Sequence, residues 1–250
     1  MNELEKGICR LSLINIRKEP SFETNICSQI LFGEHYSVLD KKKGWLYIEL
    51  FSDKEKGWIQ VDQHDSISNE YFEQINNSDY KICTDITGNI YFKKKNVNIL
   101  LGSILPISTN ELFKIEEQVA FNGESKSLHQ QRETEFFCEV VKKYINAPYH
   151  PGGRSPFGID EGGLIQQAFK ITGYFLKRNL RDQATEGSEI DSQNDIIIGD
   201  VIFTGKNYPE NAWICIASSK YVGIKSGAVT TIENLDLEPE IFSIRRYLHD

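Results

Sequence analysis

The sequence predicts a multidomain protein: small all-β barrels followed by an α+β domain. Three observations carry this. Residues 7–61 alternate short β-rich runs with Gly and charged turns, at the strand length of a small closed barrel. From Ser127 the pattern turns helical, in LHQQRETEFFCEVVKKYI. Late in the chain it returns to apolar strands, DIIIGDVIF, AWICIAS, KYVGIKS and VTTIENL, so that two helices precede a strand meander. At 250 residues, 40% hydrophobic and 26% charged, the chain can bury a full core and make two or three domains. The expected boundaries are 1–65 for a first barrel, 66–124 for a linker helix and a second barrel, and 125–250 for the α+β domain.

In the first segment Trp45 and Trp58 each follow a turn Gly and are expected on or beside the barrel core. The start Arg17 to Pro20, the strand Gly33 to Leu39, then GWLYI and GWI, resemble a bacterial SH3 domain. Residues 66–78, SISNEYFEQINNS, are polar and read as a short helical linker. KICTDITGNIYFKK, VNILLGSILPIS and FKIEEQVAFNG form a second strand-rich stretch, read as a divergent SH3-like barrel without a Trp. In the helix that follows, Leu128, Phe136, Phe137, Val140, Val141 and Ile145 are the expected buried face.

Composition narrows the function. A net charge of −8 argues against a nucleic-acid partner, which needs clustered Lys and Arg that outweigh nearby acids. The basic runs Lys41–Lys43 and Lys93–Lys95 lie between strands and read as solvated turns or edges. Five cysteines, Cys9, Cys27, Cys83, Cys138 and Cys215, are odd in number and lack CxxC spacing, which suits reduced, buried thiols. No signal-length apolar run opens the chain and no later stretch has the length of a membrane span. The expectation is a cytoplasmic protein with no membrane partner, no metal and no cofactor.

Chemistry is expected at residues 144–173, YINAPYHPGGRSPFGIDEGGLIQQAFKITG, where a Gly/Pro-rich loop runs into an apolar helix. Unpaired amides at a helix start carry partial positive charge, so they hold an anion or activate a nucleophile. Asp160, Glu161, Gly162 and Gly163 occupy that start.

The YINAPY entry, the Gly-Gly, the RSPFGID run, the LIQQAF helix face and the GDVIF strand with its hairpin resemble the NlpC/p60 family of cell-wall cysteine peptidases, a papain-like α+β fold. The resemblance implies a thiol nucleophile in an Asp-Cys-Ser-Gly motif at the helix start, a His at the head of a strand as its base, and a second polar residue, usually His, orienting the first. In this sequence Glu161 stands at the nucleophile position, Trp213 at the base and Gly223 at the orienting position, with none of the histidines His35, His64, His129, His150 and His249 on either strand. The resemblance assigns Tyr149, twelve residues before Glu161, to the oxyanion side of a cleft. Tyr149, Arg154, Ser155, Asp160 and Glu161 are the candidate ligand-binding residues.

Several readings stand side by side. Glu161 is a structural or anion-excluding cap, a partner for an amine or metal, or a substitute catalytic group; the helix dipole lowers its basicity by about 0.3–1 kcal/mol. Cys215 is a buried thiol or lines the groove one step below Trp213, since alternate strand residues share a face. His150 is a solvent-exposed loop residue or touches a ligand. Trp213 fills the space of the missing imidazole or is a plain core residue. The resulting expectation is a catalytically inactive pseudo-peptidase that binds a peptidoglycan stem peptide or a protein partner. The alternatives are an active γ-D-glutamyl-diamino acid peptidase with unconventional residues, and a structural interaction module with a closed cleft.

Overall fold

The computed structural model describes residues 4–92, 94–108, 120–234 and 240–248. The chain forms two compact units, Met1–Gln130 and Gln131–Asp250.

In the first unit β1 (Lys6–Ile8), β2 (Leu13–Arg17), β3 (Ile26–Leu31), β4 (His35–Lys42), β5 (Trp45–Leu50), β6 (Lys56–Gln60) and β7 (Asp65–Ile67) make one antiparallel sheet, in the order β3-β2-β6-β5-β4-β1-β7. Period-2 alternation sends Leu46, Ile48 and Leu50 inward from β5, against Ile14, Ile16, Ile30, Tyr36, Val38 and Ile59. Both tryptophans lie beside this core: Trp45 meets Phe22 edge-on at 5.2 Å, and Trp58 meets Tyr47 at 5.1 Å. The linker helix is α1 (Asn69–Asn77), started by Ser68, whose hydroxyl accepts the Tyr71 amide at 3.1 Å.

Next come β8 (Tyr80–Cys83), β9 (Thr87–Phe92), β10 (Lys95–Leu100), β11 (Ile104–Ser108), β12 (Ala120–Asn122) and β13 (Ser125–Ser127), in two three-stranded sheets, β10-β9-β12 and β11-β8-β13. Their core of Cys83, Ile90, Ile99 and Leu105 also takes in Phe32 from the β3–β4 turn. Because the two β segments share this packing, residues 65 and 66 fall inside one compact unit. At the other end β13 pairs with β8, so the second unit begins after Gln130, past the expected start at 125. Part of the expected strand FKIEEQVAFNG, and His249, lie outside the described residues.

The second unit opens with α2 (Thr134–Lys142), later than the helical pattern suggests, since Leu128 instead donates its amide to Tyr80 in the first unit at 2.6 Å. Phe137, Val140 and Val141 are buried as expected, whereas Phe136 is half-buried. Two short strands, β14 (Arg154–Ser155) and β15 (Gly158–Ile159), precede α3 (Glu161–Thr172), and α4 (Leu180–Gln183) follows. Then β16 (Ser188–Glu189), β17 (Val201–Thr204), β18 (Asn211–Ala217), β19 (Lys220–Lys225), β20 (Ala228–Glu233) and β21 (Ile241–Arg246) form an antiparallel sheet ordered β16-β21-β17-β18-β19-β20. Every α3 residue after Glu161 is buried, so α3 is the central helix. Phe169 packs on Phe137 at 4.5 Å and on Tyr247 at 4.9 Å, and Gly173, at φ 102°, ends the helix in the left-handed conformation. Among the described residues no helix is long and apolar enough to cross a membrane.

Gly33 is the tightest point of the first unit. Its φ is +81°, and a Cβ there would stand 1.9 Å from the Ile104 carbonyl oxygen, beside the 2.8 Å bond from the Ile104 amide to the Phe32 carbonyl. Gly33→Ala is therefore expected to cost more than about 2 kcal/mol in urea denaturation. Gly44→Ala, at φ +76° with open space around it, carries only the left-handed backbone strain of about 1 kcal/mol.

Candidate functional site at the start of the central helix

The loop before α3 is built onto the edge of the sheet. Asn146, in the left-handed region at φ 71°, donates its amide to the Val229 carbonyl at 2.9 Å, and Val229 donates back to Ala147 at 2.9 Å. The Tyr149 amide reaches the Gly227 carbonyl at 2.7 Å, so β20 fixes where Tyr149 emerges. The His150 amide then bonds Ile159, and Gly153 closes the turn onto His150.

Asp160 ties this loop to the helix. Its Oδ1 accepts the Gly163 amide at 2.7 Å as the N-cap of α3, while Oδ2 accepts the Gly152 amide and an Arg178 guanidinium N–H, both at 2.8 Å. Both side chains of the ion pair are largely withdrawn from water. The segment after α3 thus folds back over the helix start: Gln183 donates to the Gly162 carbonyl at 3.0 Å, and Arg178 reaches the Gly153 carbonyl at 3.4 Å. Only glycine fits beneath it. A Cβ at Gly162 would lie 2.6 Å from the Arg178 carbonyl oxygen, and one at Gly163 would lie 2.2 Å from that of Gly153.

Glu161 sits half-buried on the first turn. Burial raises its pKa above the usual carboxylate range and Asp160 adds to the rise, against the pull of its own backbone N–H and of Arg178. The direction is opposite to that expected from the helix dipole, because loss of water outweighs a fraction of a kcal/mol from the helix terminus. Tyr149 stands exposed in the same field: burial raises its phenol first, and the Glu161 and Asp160 charges raise it further.

Arg154 and Ser155 have turned inward. Arg154 is 1% exposed, and the Gln167 carboxamide oxygen accepts from its Nε at 3.0 Å and from a terminal guanidinium nitrogen at 2.8 Å. This bond locks β14 to the middle of α3, so Arg154 is a positioning residue inside the unit. Ser155 is also buried and its hydroxyl accepts the Phe157 amide at 3.3 Å. His150 is exposed and covers Gly158.

The positions expected for the two imidazoles are paired. Trp213 on β18 lies directly opposite Gly223 on β19. A Cβ at Gly223 would be 2.5 Å from Trp213 Cε3 and 2.9 Å from Cδ2, so the indole lies across the bare glycine backbone. Trp213 packs with Ile202 and Ile244, bordered by Ile190, Ile196, Tyr221, Ile232 and Ile241. Helix α3 packs on both β18 and β19. Cys215 is buried, its thiol donates to the Ala217 carbonyl at 3.4 Å, and burial pushes its pKa up to about 11, so it is neutral at ordinary pH. Cys138 is helix core, with its thiol on the Ile216 carbonyl.

Sequence reasoning named Asp160, Glu161, Tyr149, Trp213 and Gly223 but missed Arg178, Gln167 and Gln183. Arg178, one of two arginines in the stretch YFLKRNLRDQ, has no sequence mark of burial, and the two glutamines read as ordinary polar residues.

Residues 146–239 match the NlpC/P60 family, and residues 16–63 match the bacterial dipeptidyl-peptidase SH3 domain. Among curated proteins the chain is similar to a gamma-D-glutamyl-L-lysine dipeptidyl-peptidase of Bacillus subtilis, 26% identical over 61% of this chain and 56% of that protein. It thus spans just over half the length of that relative. A dipeptidyl-peptidase 6 of Lysinibacillus sphaericus is 25% identical over 92% of both chains. The fold matches the crystal structure of an NlpC/P60 family protein from Bacillus cereus, with a TM-score of 0.84 and 18% identity, over 98% of this chain and 100% of that one.

Two substitutions test this geometry by chemical denaturation. Asp160→Ala removes the cap of α3 together with the carboxylate beside a buried guanidinium, and is expected to cost about 3–5 kcal/mol; Asp160→Asn, which keeps an oxygen for Gly163, should cost less. Glu161 binds its proton more tightly in the folded chain than at its ordinary value of 4.5. Stability is therefore lost as pH rises from that value through the raised one. Glu161→Gln should stabilise the protein at pH 7, with the gain vanishing below about pH 4; a gain independent of pH would contradict this.

Proposed function

We propose that this chain, whose residues 146–239 match the NlpC/P60 family and 16–63 the bacterial dipeptidyl-peptidase SH3 domain, is a non-hydrolytic pseudo-peptidase that binds a cell-wall stem peptide. One observation carries the reading: the first turn of α3 bears the Glu161 carboxyl group where the resemblance implies a thiol, with Trp213 and Gly223 at the strand positions aligned with its imidazoles. Thiol catalysis needs a thiolate beside an imidazole. The helix start instead bears a carboxyl group, and the one thiol on the strand pair is buried and neutral.

The scaffold around the site is intact. The loop is pinned to β20, Asp160 caps α3, and Tyr149 remains exposed beside the Glu161 carboxyl. The names of the two curated relatives, both dipeptidyl-peptidases and one directed at a γ-D-glutamyl-L-lysine bond, supply the ligand class. A protein partner carrying a similar acidic peptide is the other occupant of such a cleft. Five free cysteines suit a reducing, cytoplasmic setting. Hydrolysis through Glu161 is the rival reading, since its raised pKa makes it a better proton donor at neutral pH than an ordinary carboxyl group.

Incubation with an L-Ala-γ-D-Glu-diamino acid tripeptide separates these readings. Calorimetry should register binding, and amino-acid analysis should find no released diamino acid. Release that disappears in Glu161→Ala would overturn the proposal in favour of the rival; absence of binding would leave a structural module. The triple variant Glu161→Cys, Trp213→His, Gly223→His should gain iodoacetamide reactivity at neutral pH, which Glu161→Cys alone should lack.

A further inference from the structure

In the first unit the linker helix α1 docks on the barrel around a buried imidazole. His35 opens β4 and is 7% exposed. Its ring stacks on Phe51 at 5.0 Å and meets Phe72 of α1 edge-on at 5.0 Å, and Phe72 in turn meets Phe51 at 5.7 Å. Nε2 lies 2.6 Å from the side-chain oxygen of Asn76, in the last turn of α1. A carbonyl oxygen can only accept, so Nε2 carries the proton. Nδ1 is then a bare acceptor, buried and without a hydrogen-bond partner among the described residues. We propose that His35 is an acid-sensitive latch, which holds α1 on the barrel while neutral and releases it when protonated.

A second proton finds no support in this setting. It would turn Nδ1 into a buried donor without an acceptor and place a charge beside two phenyl rings. Each ring already carries a cation: the Lys54 ammonium stands 4.5 Å over Phe51, and that of Lys6 stands 4.5 Å over Phe72. From α1 the uncharged Asn76 reaches the imidazole. Glu34 is the acidic neighbour, and its carboxylate accepts the buried Leu31 amide at 2.8 Å. Burial pushes His35 below its ordinary value of 6.5 and Lys54 adds to the fall, against the pulls of Asn76 and Glu34.

The helix depends on its docking. It has nine residues, too few to persist alone in water, and it buries Phe72 and Ile75. Its other side-chain tie to the barrel is the Tyr71 hydroxyl, which accepts an Arg10 N–H at 3.2 Å. His64, on the same barrel, is held differently. Its Nε2 stands 3.0 Å from the Glu5 carboxylate, a partner that a protonated ring keeps, and its Nδ1 stands 3.0 Å from the Tyr36 hydroxyl.

The latch is separate from the peptide cleft and is tested apart from it. On the full chain, proton–nitrogen NMR of the histidine rings should show Nε2 of His35 protonated at neutral pH and a titration midpoint below 6.5. The contribution of the neutral ring is complete above 6.5 and is lost as pH falls from there through the lowered midpoint. Hydrogen exchange of residues 69–77, corrected for the intrinsic rate, should therefore quicken between about pH 7.5 and about pH 5, towards a limit of about tenfold for each unit between that midpoint and 6.5. His35→Gln should lose this acid response. Asn76→Asp, which sets a carboxylate on Nε2, should raise the midpoint and keep α1 protected in acid. A midpoint at or above 6.5, exchange of 69–77 that is the same at both pH values, or an acid response that persists in His35→Gln or in Asn76→Asp would each overturn the proposal.

Discussion

The carboxylate of Asp160 is the point on which the second unit turns. One oxygen starts the central helix and the other gathers the loop before it and the Arg178 segment after it. A buried ion pair of this kind adds little net stability in itself, because desolvation offsets attraction. What it fixes is geometry: three stretches of chain meet within reach of one charge, so closely that Gly162 and Gly163 have no room for side chains. The position of Glu161 and the emergence of Tyr149 follow from that meeting, with the sheet edge at β20 holding the far end of the loop.

Much of this was legible in the sequence because it rests on local rules. Period-2 runs gave the strands of the first unit and helical spacing gave α3 up to Gly173, whereas the cap, read onto Glu161, falls on Asp160. The placing of Trp213 and Gly223 came from the order of loop, helix and strands, and the structure sets the two residues opposite each other in register. Packing between the two β segments of the first unit leaves no local mark. Phe32 leaves its own strand pair to enter the next core, and β13 pairs backward with β8, both through contacts distant in sequence.

Electrostatics was the least legible layer. The dipole argument for Glu161 considers a helix terminus in water, whereas the site places that carboxyl where lost hydration dominates. Arg154 and Arg178, which would ordinarily be solvated, are both buried, one against Gln167 and the other against Asp160. Whether an arginine faces water or the interior depends on carboxamides and carboxylates distant in sequence, and no local pattern marks them.

The fit of the Trp213 indole on the bare backbone of Gly223 also constrains how such a pair can change. A side chain at position 223 collides with the ring, whereas a smaller residue at position 213 leaves an opening that 223 tolerates. The two substitutions therefore do not commute: a path through 213 first crosses a cavity, and a path through 223 first crosses an overlap. Sequence change at this strand pair has a preferred order, set by one aromatic ring resting on one glycine.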